Sequence, residues 1–155
     1  STTMSLLLDT YKLRSPIKDF AKNNSIMGTC AGLILMAKQI EYESKVVPLN
    51  ILDITVNRNA YGRQVMSKKM PINLELNNEL IPLNATLIRA PKITDLGKDV
   101  MVLTMLKNSP AAVFQGIHLG MSFHPELDGI SIFHELLFNP SSEYFWNNLN
   151  KVDAA

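Results

Sequence analysis

The feature that most constrains this chain is a five-residue run, Gly28-Thr29-Cys30-Ala31-Gly32, which places the only cysteine of 155 residues between two glycines. The residues before the run, 25–27, predict the end of a short apolar strand, and those after it, 33–40, predict a helix. Cys30 is therefore expected on a sharp strand-to-helix turn, the geometry that exposes a nucleophile at a sheet edge. A helix N-terminus and a nearby histidine can lower the pKa of such a thiol.

A second run, Ser122-Phe123-His124-Pro125-Glu126-Leu127, offers a base and a carboxylate two positions apart. Cysteine, histidine and glutamate are sufficient for an acyl-transfer triad. A lone cysteine is more often a small core residue, but the glycine flanks favour a nucleophile. The backbone N–H of Ala31, at the start of the predicted helix, is expected to point to where an acyl oxyanion forms. His118 and His134 lack such neighbours and are predicted to be structural or surface residues.

Composition narrows the class of protein. A formal net charge of +1 gives no electrostatic reason to expect a nucleic acid or an anionic membrane as partner. No apolar run approaches the roughly 18 residues of a membrane span, and the start lacks the charged region of a signal peptide. A single cysteine fits a reducing compartment, so we expect the protein in the cytoplasm. No cluster of residues has metal-ligand spacing, and we expect no metal and no cofactor.

The order of predicted elements indicates an α/β fold. Cap-type residues at Ser1 to Thr3 predict an initial helix, and Ser15 followed by Pro16 predicts the N-cap of a second. After residue 41 the sequence pattern predicts mainly strands, and the chain ends in two predicted helices, 130–137 and 141–149. The β-prone runs are 51–56, 72–76, 85–88, 100–106, 111–114 and 119–123. We predict a mainly parallel open sheet flanked by helices, with a small antiparallel extension.

Several stretches together carry a family likeness. They are Ser1-Thr2-Thr3-Met4, the Cys30 and His124 runs, Leu52-Asp53-Ile54-Thr55-Val56, Arg58-Asn59-Ala60-Tyr61-Gly62-Arg63-Gln64 and Ile88-Arg89-Ala90-Pro91. In this order, from Ser1 to about Phe138, the chain resembles the glutaminase subunit of pyridoxal 5′-phosphate synthase. That family belongs to the class I, triad-type glutamine amidotransferases, which have a flavodoxin-like fold. The stretch from Arg58 to Gln64 narrows the resemblance to the vitamin B6 branch.

The resemblance implies roles for individual residues. Cys30 would be the nucleophile, His124 its base and Glu126 the group that orients His124. The positions that match the family's glutamine-binding residues are Ser1, Arg58, Ile88 and Arg89. The implied reaction hydrolyses L-glutamine to L-glutamate and ammonia without a cofactor. The ammonia would pass to a barrel-shaped synthase subunit in a ring-forming heteromeric complex.

From the residues alone, Arg58 and Arg89 suit an amino-acid carboxylate, since a guanidinium binds that group bidentately. On the residues alone, two surface arginines at strand ends are the more common case, and the family match is what favours a substrate role. Arg89 is equally compatible with a brace at the partner interface. Arg63 and Gln64 have no role that follows from spacing.

Two departures from the family pattern accompany the resemblance. The chain, 1–155, is expected to be a single amidotransferase domain that is incomplete at its N-terminus. It starts after roughly 45 residues that supply the family's first strands and a Gly-Gly turn with an oxyanion donor. The segment 65–71 does not follow the family's acidic-aromatic continuation and is expected to be a loop difference.

Two other functions stay open at this point. One is a catalytically impaired interaction module, which would follow from the absence of the first strand unit. The other is an amidotransferase that serves another biosynthetic acceptor, in a histidine or nucleotide pathway. The Arg58 to Gln64 stretch argues against that second alternative.

Overall fold

The computed structural model describes residues 1–42, 45–58 and 67–149. The described helices are α1 (Thr2–Thr10), α2 (Arg14–Ala21), α3 (Ala31–Met36), α4 (Ile132–Phe138) and α5 (Trp146–Leu149). The strands are β1 (Met27–Thr29), β2 (Ala37–Ile40), β3 (Leu52–Asn57), β4 (Lys68–Leu76), β5 (Glu79–Leu87), β6 (Lys92–Leu96), β7 (Met101–Leu106), β8 (Ser109–Gln115) and β9 (His118–Met121). A 3-10 turn, Pro125–Asp128, follows β9.

These strands form two sheets, and the predicted α/β class is confirmed. The larger sheet has the order β1-β9-β8-β7-β4-β5 and the smaller one the order β2-β3-β6. Within the described ranges, β1 pairs parallel with β9 and β2 parallel with β3, while the other pairs are antiparallel.

Antiparallel pairing is thus more extensive than the small extension predicted, and short loops are the reason. Two residues, Asn77 and Asn78, join β4 to β5, and both have a positive φ. Lys107 and Gly116, in the equally short loops before and after β8, also have a positive φ. Two-residue loops of this kind can join only antiparallel neighbours, whereas a parallel pair needs a long crossover.

The helix predicted over 33–40 ends at Met36, and β2 takes the remaining residues. The carbonyl oxygens of Leu35, Met36 and Ala37 accept hydrogen bonds from the backbone N–H groups of Leu49, Ile51 and Asn50. A longer helix would need the same carbonyls for its own bonds. The predicted helix end was therefore wrong because a distant segment binds these groups.

Other boundaries also differ from the sequence expectations. Strand β6 was not predicted, since only Ile93 and Leu96 of its five residues are apolar. Helix α2 begins at Arg14, one residue before the predicted cap Ser15. The final helix is confined to α5, because the side chains of Asn139 and Ser142 bind nearby backbone N–H groups and favour turns.

The segment 65–71, expected to be a loop, becomes strand from Lys68 onwards. Lys68 to Pro71 pair in register with residues 84–87 of β5, so they extend the β4–β5 hairpin. The first part of the expected loop lies outside the described residues.

Strand β8 separates two hydrophobic cores. Ala112 and Phe114 face one core, with α4 and strands β4, β5, β7 and β9, while Val113 faces the other, with α3 and strands β2 and β3. All three side chains are buried, as expected for a strand covered on both faces. In the described ranges no helix is both long and apolar enough to cross a membrane.

Arg14 connects the first helix to the rest of the fold. Its guanidinium donates to the side chains of Asp9 and Ser5 in or near α1 and to the carbonyl oxygen of Val47. The Asp9 carboxylate raises the pKa of Arg14, and the pKa of Asp9 is lowered in return. These contacts hold the helix that begins beside Ser1 against the segment before β3.

We predict that Gly120→Ala destabilises the fold by about 1–3 kcal/mol through overpacking. A Cβ at Gly120 would lie 2.6 Å from Leu33 Cδ1 and 2.7 Å from Leu52 Cδ1, and both leucines are fully buried. Chemical unfolding measures the change. Gly32→Ala is the matched control, since a Cβ there meets no described atom within 4 Å. Equal unfolding midpoints for the two variants would contradict the prediction.

Candidate active site

Cys30 lies on the sharp turn that the sequence predicts. Its backbone has φ 47° and ψ −99°, between the end of β1 and the first residue of α3. The N–H of Cys30 donates to the carbonyl of Met121 at 2.8 Å, which continues the pairing of β1 with β9 by one residue. The turn therefore presents the thiol at the end of the sheet where both parallel strands terminate.

Gly28 makes this turn possible. A Cβ at Gly28 would lie 2.4 Å from Met36 Sδ and 2.8 Å from the carbonyl carbon of Gly32. Any side chain at Gly28 would push α3 away from β1. The close approach of two backbones thus occurs between the two glycines of the run.

Burial raises the pKa of the Cys30 thiol. The backbone N–H of Ala31 and the charge of Arg89 act in the opposite direction but do not reverse the shift. The thiol lies 3.6 Å from the carbonyl oxygen of Ile88, to which it donates. The first N–H of α3 therefore acts to lower this pKa, as the sequence suggests, but desolvation of the charged form is the larger effect and the net shift is upward. A neutral thiol needs a base before it can attack.

His124 and Glu126 form a direct contact. The Nδ1 atom of His124 lies 2.7 Å from Oε1 of Glu126. With the carboxylate as the acceptor of this hydrogen bond, the hydrogen is on Nδ1, and in the neutral imidazole this tautomer leaves Nε2 as the acceptor. Pro125 begins the 3-10 turn and Gly129 ends it with φ 66°, which brings the carboxylate back to the imidazole.

One cavity of about 570 Å³ contains most of the predicted site residues. It is lined by Ser1, Thr2, Thr3, Cys30, Ala31, Ile34, Arg58, Ile88, Arg89 and His124. Its volume is in the range of ligand pockets, roughly 300–1,000 Å³. Glu126 is not among the lining residues and contacts the site through His124. The five segments that meet here are separated by up to 123 positions in sequence.

Two arginines give this cavity its positive charge. Arg58 follows β3 and donates from Nη2 to the hydroxyl of Thr2 at 3.0 Å. Arg89 follows β5, has φ 45° and is exposed. Of the stretch Arg58 to Gln64, only Arg58 is described, so Arg63 and Gln64 lie outside the described residues.

The sequence missed three lining residues: Thr2, Thr3 and Ile34. The two threonines adjoin Ser1 in a run that already carried the family likeness. Ile34 lies four positions after Cys30, and its N–H donates to the Cys30 carbonyl at 3.3 Å. Helical spacing alone would have placed it on the same face as the thiol.

The two remaining histidines occupy other places. His118 Nδ1 accepts a hydrogen bond from the N–H of Ile26 at 3.3 Å, and burial lowers the pKa of His118. His134 packs near the ring of Phe138. Within the described part of the chain, no three histidine, cysteine, aspartate or glutamate side chains are grouped to hold a metal ion.

Comparison with known proteins gives one consistent result. The model of the SNO glutamine amidotransferase family matches residues 1–139. The "Pyridoxal 5′-phosphate synthase subunit PdxT" of Oenococcus oeni is 44% identical over 92% of this chain and 73% of its own length. The protein of the same name from Dictyoglomus turgidum is 41% identical over 92% and 75%.

Solved structures agree with the sequence comparison. A structure described as a glutamine amidotransferase has a TM-score of 0.78 and 34% identity, over 88% of this chain and 71% of that one. A glutamine amidotransferase from Thermotoga maritima, 15% identical with a TM-score of 0.51, supports the fold alone. On these matches, and with a cysteine turn and a histidine–glutamate pair at one cavity, the chain belongs to the SNO glutamine amidotransferase family.

Proposed function

We propose that this chain is the glutaminase subunit of a pyridoxal 5′-phosphate synthase, in which it hydrolyses L-glutamine to L-glutamate and ammonia. The observation that carries the proposal is the cavity where the Cys30 thiol, the Ala31 backbone, the His124 imidazole and two arginines meet. Nucleophile, base and a positive charge for a carboxylate are the parts that glutamine hydrolysis requires.

Substrate binding follows from the charges of the cavity. The α-carboxylate of glutamine is bound by Arg58 and Arg89, which form its cationic wall. Ser1 and the backbone of Ile88 bind the amino-acid end of the substrate. With the amino-acid end bound in this way, the side-chain amide is directed towards Cys30, which lines the same cavity.

The chemistry proceeds through a thioester. His124 Nε2 takes the proton of Cys30 as sulfur attacks the amide carbon, and the Ala31 N–H stabilises the resulting oxyanion. The tetrahedral intermediate collapses when the imidazolium gives its proton to the amide nitrogen, which leaves as ammonia. Water, deprotonated by His124, then attacks the γ-glutamyl thioester, and glutamate leaves as the thiol is restored.

The name of the relatives supports the proposal that the ammonia passes to a synthase subunit. Both PdxT proteins are subunits of pyridoxal 5′-phosphate synthase by name. We accordingly assign a barrel-shaped synthase subunit as the partner, in a ring-forming heteromeric complex located in the cytoplasm. No metal and no organic cofactor takes part in the proposed reaction, and residues 1–155 act as one amidotransferase domain.

We predict that His124→Asn lowers glutaminase turnover by about 10⁴-fold or more, whereas Glu126→Gln leaves measurable activity. The imidazole moves protons, while the carboxylate only orients it through the 2.7 Å contact. Glutamate release with the synthase partner present measures both effects. His134→Asn is the matched control and should retain the parent rate. A His118→Asn variant that folds normally and loses as much activity as His124→Asn would contradict this assignment of the base.

We predict that Cys30 in the free protein reacts with iodoacetamide only at higher pH than an unfolded cysteine does. Burial raises the thiol's pKa, so less thiolate is present at any given pH. Mass spectrometry of labelling at a series of pH values, in buffer and in urea, measures both midpoints. Because the thiol's pKa is higher in the folded protein than in the unfolded chain, the thiol contributes to the free energy of unfolding at pH values below its pKa in the unfolded chain. This contribution is lost as the pH rises through its pKa in the folded protein. A lower midpoint for the folded protein would overturn the interpretation.

We predict that Arg89→Met raises KM for glutamine by about tenfold or more with a smaller change in kcat, because a carboxylate contact contributes to uniform binding. Steady-state glutamate release separates the two constants. Lys98→Met is the control, since Lys98 is also exposed and is not among the residues that line the cavity. An unchanged KM would remove Arg89 from the substrate site.

A further inference from the structure

Asp128 lies at the end of the 3-10 turn that begins beside His124. Its side chain makes two contacts that have no part in the proposed reaction. Its side chain is only 4% exposed. Its two oxygens have separate partners: Oδ1 lies 2.7 Å from Lys69 Nζ, and Oδ2 accepts the backbone N–H of Thr86 at 2.7 Å. The Lys69 ammonium lowers the pKa of Asp128, so the carboxylate is ionised at neutral pH.

Thr86 is bound by the same turn at both of its backbone groups. Its N–H donates to Asp128, and its carbonyl accepts the N–H of His124 at 3.0 Å. Strand β5 is the edge of the larger sheet, so these are groups that no further described strand pairs. The turn therefore docks on β5 at two points, with His124 at one end and Asp128 at the other.

Lys69 completes the arrangement from the neighbouring strand. It lies directly opposite Thr86 in the register of β4 and β5. Its ammonium therefore reaches the Asp128 carboxylate across the hairpin. We call Asp128, Lys69 and Thr86 the turn clamp.

The turn clamp lies two residues from the cavity wall. Ile88 lies two positions after Thr86, and its carbonyl oxygen accepts a hydrogen bond from the Cys30 thiol. Arg89 follows Ile88 and also lines the cavity. The turn clamp thus fixes the position of the turn that begins at His124 relative to strand β5, which leads into Ile88 and Arg89.

We propose that Asp128 is a positioning residue for His124: its carboxylate holds the His124–Asp128 turn on β5, so that the imidazole stays aligned with Cys30 and with the wall formed by Ile88 and Arg89. The effect on rate rests on the glutaminase function proposed above. The effect on the imidazole does not.

The test compares Asp128→Ala and Asp128→Asn with the parent, in the full chain with its synthase partner for kinetics. Asp128→Ala removes both contacts and should lower kcat by about tenfold or more, since small misplacements of a reacting group are costly. KM should change by less than about twofold, because the cavity arginines are untouched. Asp128→Asn keeps an acceptor for the Thr86 N–H, so its kcat should lie between those of the parent and Asp128→Ala. Asp99→Asn, an exposed aspartate outside the cavity, is the matched control.

A second readout does not depend on activity. Nitrogen-15 shifts of the His124 ring report its tautomer, which the Glu126 contact fixes with hydrogen on Nδ1 in the parent. We expect Asp128→Ala to populate both tautomers and Asp99→Asn to keep one. If the parent shows no glutaminase activity, the proposed function fails, and this readout still decides the role of Asp128.

A folded Asp128→Ala variant with the parent's kcat and a single parent-like tautomer would overturn the proposal. Asp128→Asn covers the case in which Asp128→Ala does not fold. It keeps the size of the side chain but loses the ion pair with Lys69 Nζ, so at neutral pH it should lower kcat and admit the second His124 tautomer, each to a smaller extent than Asp128→Ala. A folded Asp128→Asn variant with the parent's kcat and a single parent-like tautomer would equally overturn the proposal.

Discussion

The hydrogen bond from the Cys30 N–H to the Met121 carbonyl is the contact on which the site depends. At 2.8 Å it extends the β1–β9 ladder to a residue whose φ of 47° already belongs to the turn. A non-glycine residue in such a conformation costs about 1–3 kcal/mol, and the surrounding structure must hold it there. The ladder on one side and the close packing of α3 on Gly28 on the other provide that support.

The same strand that anchors the nucleophile also delivers the base. β9 ends at Met121, and His124 follows three residues later. Between them, Phe123 is fully buried and packs its ring 5.5 Å from that of Phe133 in α4. Because β1 and β9 are parallel, their carboxyl ends meet at one edge of the sheet, which is where ligands bind in α/β folds. Nucleophile and base therefore share a cavity although 94 positions separate them in sequence.

The parts of this site that could be predicted are those encoded within a few residues. Glycines around Cys30 specify the turn, and Pro125 and Gly129 specify the fold-back of Glu126 on His124. The end of α3 and the strand β6 could not be predicted, since hydrogen bonds from residues 49–51 and pairing with β3 decide them. Asp128 is similar: its sequence neighbours give no sign that Lys69 and Thr86 surround it.

The raised pKa of the thiol is consistent with how the leaving group must depart. The amide nitrogen leaves as ammonia only after it has been protonated, and the site must supply that proton. Because burial raises the pKa of the thiol, the proton lies on sulfur before the attack. Attack transfers it to Nε2 of His124, from where it reaches the amide nitrogen. Burial of Cys30 thus favours the protonated thiol, which is the source of the proton that the amide nitrogen takes as it leaves as ammonia. Because Nδ1 is bound to Glu126, that transfer can use only Nε2, which fixes its direction.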